Sequence, residues 1–237
     1  MKRLFLIFTF LALSLALLPP PLMAVGREES AAEAAKPRLD KKLGSAFKLG
    51  NPVFLRIFKD EAIVEIWMLP ENSQKFKLFH SYPICAFSGG LGPKTKEGDR
   101  KAPEGFYAVG LRHLNPFSNY HLSFDLDYPN AYDRAQGYTG SLLMVHGNCL
   151  SDGCYAMTDP QIEEIYTLAK AALDNGQPFF RVHIFPFRLT ASNLALYKNY
   201  PWHDFWTMLE PVYAYFEKHG HPPDVAVEKG LYKISGL

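Results

Sequence analysis

Two residue types capable of nucleophilic chemistry stand close together in the middle of the chain. His146 is followed eight positions later by Cys154, and Gly153 comes directly before the cysteine. A thiol attacks a carbonyl carbon as the thiolate, so it needs a neighbouring base or a lowered pKa. The imidazole of His146 can serve as that base. The spacing therefore predicts a cysteine nucleophile with a histidine partner.

The residues around Cys154 suit this chemistry. The intervening Asn, Ser, Asp and Gly residues favour a turn that folds Cys154 back beside His146. Gly153 has no side chain, so the N–H groups around Cys154 can approach an oxyanion closely. A helix is expected to begin near Thr158, and its free N–H groups favour a nearby negative charge by roughly 0.3–1 kcal/mol. We therefore expect a lowered pKa for Cys154.

Other interpretations of these residues stay open. In one, His146 and Cys154 are simply a buried pair at a strand-to-helix turn. Alternatively, His146, Cys149 and Cys154 are zinc ligands, with His183 as a fourth. Cys85 and Cys149 are either joined in a disulfide or separate small buried groups, and Cys149 is also a candidate redox partner of Cys154.

The elements that must position these residues indicate one β-rich α+β domain. Thr158 with Pro160 and Gln161 forms a helix start, and apolar residues at helical spacing continue to Gly176. A second helix is predicted over 205–218. Strands predominate before Ser151 and helices after it. The predicted strands cover 52–59, 62–69, 76–87, 106–109, 120–125, 141–145 and 181–187.

The first residues indicate export. Lys2 and Arg3 precede a 15-residue run rich in Leu, Phe and Ala, and a small residue, Ala24, follows a proline break. As a helix this run would span about 22 Å, less than the roughly 30 Å of a bilayer core. We predict a signal peptide at 1–24, a polar tether at 25–45 and a catalytic domain at 46–237. The protein is then periplasmic without a stable membrane span, or membrane-anchored if the signal is not cleaved.

Charge and cysteine content narrow the function classes. The net charge is +1, and removal of residues 1–24 takes away two positive charges and no negative ones, which leaves about −1. A near-neutral chain argues against a nucleic-acid partner, because phosphate contacts need a basic face. Three cysteines are an odd number in an exported chain, so at least one thiol is left over and is a candidate for reactivity.

The segment from His146 to Met157 resembles the active-site motif of the L,D-transpeptidase catalytic domain family, which has the YkuD-type fold. It is most similar to the YafK-like branch, in which the cysteine is followed by Tyr-Ala-Met. The similarity covers about 51–233. It includes the blocks at 82–85, 88–94, 102–107, 128–133 and 182–187.

The resemblance implies an enzyme that modifies peptidoglycan through a thioester between Cys154 and a diaminopimelate-containing stem peptide. His146 would donate and accept the proton and would be oriented by a backbone carbonyl. An amine acceptor then resolves the thioester in transpeptidation, or water does so in hydrolysis, which releases a cross-link or a wall-attached lipoprotein. A non-catalytic wall-binding module is the alternative from another class. No cofactor and no metal are implied.

Further site residues are predicted with the motif. Gly153, Ser151, Gly147 and Tyr155 are candidates for the oxyanion site or for substrate positioning, and His121, His183 and Lys94 for the cleft.

Two positions depart from the commoner family pattern. Asp152 stands in place of a histidine, and Ala156 stands in place of an arginine. Lys94, Arg181 or Arg188 would have to replace that arginine as the partner of a substrate carboxylate.

Overall fold

The computed structural model describes residues 20–235. In this part of the chain five α-helices, eleven strands and one short 3-10 helix occur. Their order is α1 Pro20–Leu43, β1 Val53–Phe58, β2 Ile63–Met68, β3 Lys77–Pro83, β4 Gly105–Val109, the 3-10 helix Leu111–His113, β5 Leu114–Asn115, β6 Ser123–Asp125, α2 Ala131–Ala135, β7 Met144–His146, β8 Tyr155–Ala156, α3 Asp159–Asp174, β9 Phe180–Phe185, α4 Ala191–Leu196, α5 His203–His219, β10 Val225–Glu228 and β11 Leu231–Ile234.

The larger sheet has β1 at its centre, in the strand order β3-β2-β1-β9-β4. β1 pairs antiparallel with β2 and parallel with β9. All six residues of β1 are buried: Val53, Leu55 and Ile57 join one core cluster, and Phe58 joins a second cluster with α5. Five of its six residues are apolar, as expected for a strand buried on both faces, and the sixth, Arg56, is buried in an ion pair with Glu65 at 2.8 Å.

The smaller sheet carries the residues predicted to be reactive. Its order is β5-β6-β7-β8, and the last pair, β7 and β8, is parallel. Val145 of β7 pairs with Tyr155 of β8, and both are completely buried in the core. Successive side chains of a strand point to opposite faces. His146 follows Val145 and Cys154 precedes Tyr155, so both side chains project from the face opposite to the buried pair.

Helix α3 begins and ends where its sequence predicts. The Thr158 N–H donates to the Gln161 side chain at 3.0 Å as part of a capping box, and a proline lies in the first turn. Ile162, Ile165 and Ala169 are among its buried residues and pack into the main core. The predicted helix at 205–218 is α5, which ends at Gly220 with a left-handed backbone.

The segment predicted as a polar tether is a helix over most of its length. α1 runs to Leu43, and Ala31, Ala35 and Leu39, four residues apart, are buried in the main core. The tether prediction was therefore wrong for this segment. The sequence gives little sign of this helix, because only three small or apolar residues form its buried stripe. These residues pack against α3, which lies 120 or more positions away in the chain. Of the predicted signal peptide, residues 1–19 lie outside the described residues.

The predicted α+β class is confirmed. Helices are not confined to the region after Cys154, because α1 and α2 precede it, and the strands β9, β10 and β11 follow it. Between residues 20 and 235, no helix has the length and apolar character needed to cross a membrane.

Candidate active site

Cys154 lies directly before β8, beside Met144 at the start of β7. Its thiol accepts a hydrogen bond from the Met144 N–H at 3.4 Å and donates to the Leu142 carbonyl at 3.8 Å. The side chain is partly exposed, and it is the single free thiol among residues 20–235. Cys154 is thus held by the backbone of the neighbouring strand while its sulfur remains accessible.

His146 ends β7 on the same face as Cys154 and is almost completely buried. Its Nδ1 atom lies 2.6 Å from the Gly147 carbonyl oxygen. A carbonyl can only accept, so Nδ1 carries the proton and Nε2 keeps its lone pair. In the described part of the chain, His146 and Cys154 hydrogen-bond to backbone groups rather than to each other.

The backbone at Gly147 is tightly enclosed. A Cβ atom at this position would lie 2.6 Å from Asp159 Oδ1 and 3.0 Å from the Tyr120 carbonyl oxygen. The Gly147 N–H donates to that carbonyl at 3.0 Å, and the next N–H, of Asn148, donates to Asp159 Oδ1 at 2.8 Å. Gly147 therefore shapes the turn that orients His146.

The turn before Cys154 is fixed by two serine side chains. The Ser151 hydroxyl donates to the Cys154 carbonyl at 2.7 Å, and the Gly153 N–H donates to the Ser88 hydroxyl at 2.8 Å. Gly153 has φ +106°, a conformation that glycine adopts without strain. Its N–H is occupied by Ser88. The Cys154 N–H has no acceptor among the described residues and is the available oxyanion donor.

Both reactive groups are neutral in this arrangement. Burial raises the pKa of the Cys154 thiol above its ordinary 9.0, and Asp125 and Asp152 raise it further. Burial lowers the pKa of the His146 imidazole below 6.5, although the Gly147 carbonyl partly offsets this. The expectation of a lowered cysteine pKa near the start of α3 was therefore wrong, because burial and nearby carboxylates dominate.

Lys94 is the predicted cleft residue whose charge acts on the thiol. Its positive charge lowers the pKa of Cys154, in opposition to burial. The ammonium group is buried and donates to Asp99 at 2.8 Å and to the Lys96 carbonyl at 3.0 Å. Asp99 also accepts from three N–H groups of the same loop, so the loop holds Lys94 in a defined position.

Cys85 and Cys149 form a disulfide. Of the two alternatives left open by the sequence, the structure therefore has the bonded pair. The bond joins the turn after His146 to the segment that follows β3, whose Ala86 is bridged to Ala156 of β8. With Cys149 in a disulfide, the alternative set of zinc ligands is not assembled.

The side chains of two predicted residues, Tyr155 and His183, point away from His146 and Cys154. The Tyr155 side chain is completely buried, and its hydroxyl donates to the Pro103 carbonyl at 2.7 Å, away from Cys154. His183 lies on β9, where its ring is buried between the rings of Phe54 and Phe106. It lines a cavity of about 480 Å³, and neither His146 nor Cys154 lines that cavity. Burial lowers its pKa well below the ordinary value.

The two candidate arginines are neutralised elsewhere. Arg181 is paired with Asp224, and Arg188 is paired with Glu61 and Glu65. Of the three cations considered as partners of a substrate carboxylate, Lys94 is the one whose charge acts on Cys154.

Several contacts of the site had no signal in the sequence, although His121 itself was a predicted cleft residue. The Tyr120 ring covers His146 with ring centroids 4.7 Å apart, and the neighbouring His121 pairs with Glu163 at 3.0 Å. Ser88 lies 65 positions before the Gly153 N–H that it binds. These contacts join distant parts of the chain, so no local pattern predicts them.

Comparison with known proteins identifies the family. Residues 66–184 match the family model described as YkuD, L,D-transpeptidase catalytic domain. Two proteins of Escherichia coli, from strain K12 and from O157:H7, are named "Putative L,D-transpeptidase YafK". Each is 46% identical to this chain over 187 residues, which cover 79% of this chain and 75% of the relative.

A solved structure, that of the helical cell shape determining protein Pgp2 from Campylobacter jejuni, aligns with a TM-score of 0.45 and 17% identity. The alignment covers 85% of this chain and 80% of that one. The family model spans half of the chain, and the Escherichia coli relatives match over three quarters of their own length. The chain therefore belongs to the L,D-transpeptidase catalytic domain family.

Proposed function

We propose that this protein is a peptidoglycan-modifying cysteine acyltransferase in which Cys154 is the nucleophile and His146 the proton acceptor and donor. Proteins of this family act on the peptides of peptidoglycan. The observation that carries the proposal is the pair itself: a single free thiol on one face of the β7–β8 ladder, beside an imidazole whose Nδ1 proton is held by a backbone carbonyl.

The neutral state of both groups defines the first step. Nε2 of His146 has a lone pair and takes the thiol proton, and the thiolate attacks the carbonyl carbon of the amide at the L-centre of diaminopimelate. Proton transfer needs the two side chains to approach, and such contacts commonly tighten when substrate binds. The reaction therefore starts from thiol and imidazole rather than from a preformed ion pair.

The tetrahedral intermediate needs a donor for its oxyanion. The Cys154 N–H is available for this, since the Gly153 N–H already binds Ser88. Collapse of the intermediate transfers the His146 proton to the leaving amine and leaves a thioester on Cys154. Lys94 is the cation whose charge acts on Cys154; two of its three N–H groups bind Asp99 and the Lys96 carbonyl, which leaves one for a substrate carboxylate.

Resolution of the thioester defines two variants of this function. An acceptor amine gives transpeptidation, and water gives hydrolysis, including release of a wall-attached lipoprotein. Ala156 stands two positions after Cys154, where the commoner family pattern has an arginine, and it is buried against Ala86. This position therefore supplies no positive charge, and recognition of the acceptor must use other residues.

Purified enzyme incubated with muropeptides, with and without an abundant acceptor amine, separates these variants. We expect amine-containing products if the enzyme is a transferase. Exclusively hydrolysed products in the presence of the amine would assign it to the hydrolases.

Acylation of the nucleophile can be measured directly. Intact-mass analysis after exposure to a carbapenem is expected to show one added acyl group on the wild-type chain and none on Cys154→Ala. A non-catalytic wall-binding module is the alternative. Unchanged wall chemistry in cells that carry only Cys154→Ala would contradict the enzyme and favour that module.

We further propose that the protein works in the periplasm. The predicted signal at 1–24 supports export. A disulfide between Cys85 and Cys149 suits an oxidising compartment. Fractionation of cells, combined with the mass of the mature chain, tests both the location and signal cleavage.

A further inference from the structure

The loop of residues 116–121, called here the Tyr120 loop, contacts the His146 turn at two points. The Tyr120 ring lies over the His146 ring, and the Tyr120 carbonyl accepts the Gly147 N–H at 3.0 Å. His121 follows so closely that a methyl group added at Gly147 would lie 3.1 Å from its Cβ. Since the Gly147 carbonyl orients His146, a shift of this loop would move the proton acceptor.

The loop conformation must be held from outside. His121 has φ +69°, in the left-handed region that costs a residue with a Cβ on the order of 1 kcal/mol or more. Its Nε2 atom lies 3.0 Å from Glu163 Oε1, on helix α3. Glu163 is thus the side chain that anchors the strained residue of the loop.

Helix α1 in turn holds Glu163. Arg38 donates to Glu163 Oε2 at 2.7 Å through Nη2 and to Glu164 at 2.8 Å through Nε. Near the other end of α1, Arg27 donates to the Pro116 carbonyl at 3.0 Å, at the start of the Tyr120 loop. The helix therefore contacts one end of the loop directly and the other end through Glu163.

We propose that Glu163 is a positioning residue for His146, acting through His121, and that α1 holds it in place. The inference rests on the proposed role of His146 as proton acceptor. Four contacts connect α1 to His146. Arg38 binds Glu163, and Glu163 binds His121. The Tyr120 loop, which contains His121, binds the Gly147 N–H, and the Gly147 carbonyl accepts the Nδ1 proton of His146.

The test measures the His146 tautomer by NMR, which is independent of activity, together with kcat and KM on muropeptides. In the wild type we expect the Nδ1–H tautomer. Glu163→Ala should give a mixture with Nε2–H and lower kcat roughly 10- to 100-fold, because misplacement of the acceptor by about 1 Å has effects of this size. KM should change by less than about threefold, since Glu163 does not meet the substrate.

Matched variants separate positioning from a loss of folding. Glu163→Gln keeps an oxygen that accepts from His121 and should retain most of the Nδ1–H tautomer. Asp174→Ala removes an exposed carboxylate of the same helix, paired with Lys170, and should change neither readout. If Glu163→Ala does not fold, His121→Asn carries the same test, because asparagine tolerates the left-handed backbone and lacks the Nε2 atom that meets Glu163.

An unchanged His146 tautomer and an unchanged kcat in folded Glu163→Ala would overturn the proposal. So would an equal loss in Asp174→Ala. Failure of the proposed function is a different result: Cys154→Ala would then be as active on muropeptides as the wild type. In that case the NMR arm still decides whether Glu163 positions His146.

Discussion

The Nδ1 atom of His146 lies 2.6 Å from the carbonyl oxygen of Gly147, the next residue in the chain. This contact selects the tautomer in which Nε2 is free to accept a proton. It replaces the carboxylate that orients the base in many nucleophilic sites. A neutral carbonyl leaves the site with less negative charge, so the proton acceptor depends on backbone geometry more than on an ionised partner.

That geometry makes Gly147→Ala a direct test. The new methyl group would lie 2.6 Å from Asp159 Oδ1, and the turn must shift. We expect a loss of roughly 1–3 kcal/mol in the free energy of unfolding. Muropeptide turnover should fall on the order of 100-fold. Urea denaturation and turnover assays measure the two effects. Gly26→Ala, where the added methyl meets nothing within 4 Å, is the control. Full turnover by Gly147→Ala would contradict the role of the turn.

The pH dependence of the alkylation rate should show that Cys154 is a thiol, and not a thiolate, before substrate binds. Burial raises the pKa of this group above 9.0, so the rate with iodoacetamide should rise with pH through a midpoint above that value. His146→Gln should leave the midpoint nearly unchanged, because the resting imidazole is neutral and contributes no charge. Intact-mass measurement across pH 5–10 follows the reaction. A rate plateau already present at pH 6 would indicate a thiolate–imidazolium pair instead.

Reduction of the Cys85–Cys149 disulfide should destabilise the domain. The bond links positions 64 apart, and the chain-entropy model assigns roughly 4 kcal/mol to closure of such a loop. We expect a lower Tm and lower turnover with dithiothreitol, because the turn after His146 loses its covalent link. The double variant Cys85→Ala/Cys149→Ala should have the same low Tm with or without the reductant. A Tm that does not respond to reduction of the wild type would show that the bond adds no stability.

Asp99 should make the free energy of unfolding depend on pH in the acid range. Burial raises its pKa, but Lys94 and the N–H groups of Thr95, Lys101 and Lys96 lower it to about 2. A carboxylate with a depressed folded-state pKa contributes stability above its unfolded value of 3.8, and that contribution is lost as the pH falls through about 2.

The corresponding variant is Asp99→Asn. We expect it to be about 2 kcal/mol less stable than the wild type at pH 7, with the difference shrinking towards pH 2. Urea titrations at pH 7, 4 and 2 measure this, and turnover should fall as Lys94 loses its partner. Asp40→Asn, which breaks an exposed pair with Lys36, is the control and should change little. A difference that is the same at all three pH values would contradict the assigned pKa.

Much of the domain was predictable from local patterns. The mainly apolar run at 52–59 predicts β1, and the Thr158 capping box predicts the start of α3, because both signals lie within a few neighbouring residues. The short polar turn between His146 and Cys154 likewise predicts that the two residues approach each other. These features depend on backbone propensities and on contacts along the chain.

The sequence by itself determined the α+β class and the family, and it predicted His146 and Cys154 as the reacting pair. Only the tertiary structure decided that α1 is a docked helix, that Cys149 bonds to Cys85, and that burial raises the pKa of the Cys154 thiol. The physical reason is that burial and ion pairing are set by side chains distant in the chain. Arg38 meets Glu163 across 125 positions, and no local pattern contains that contact.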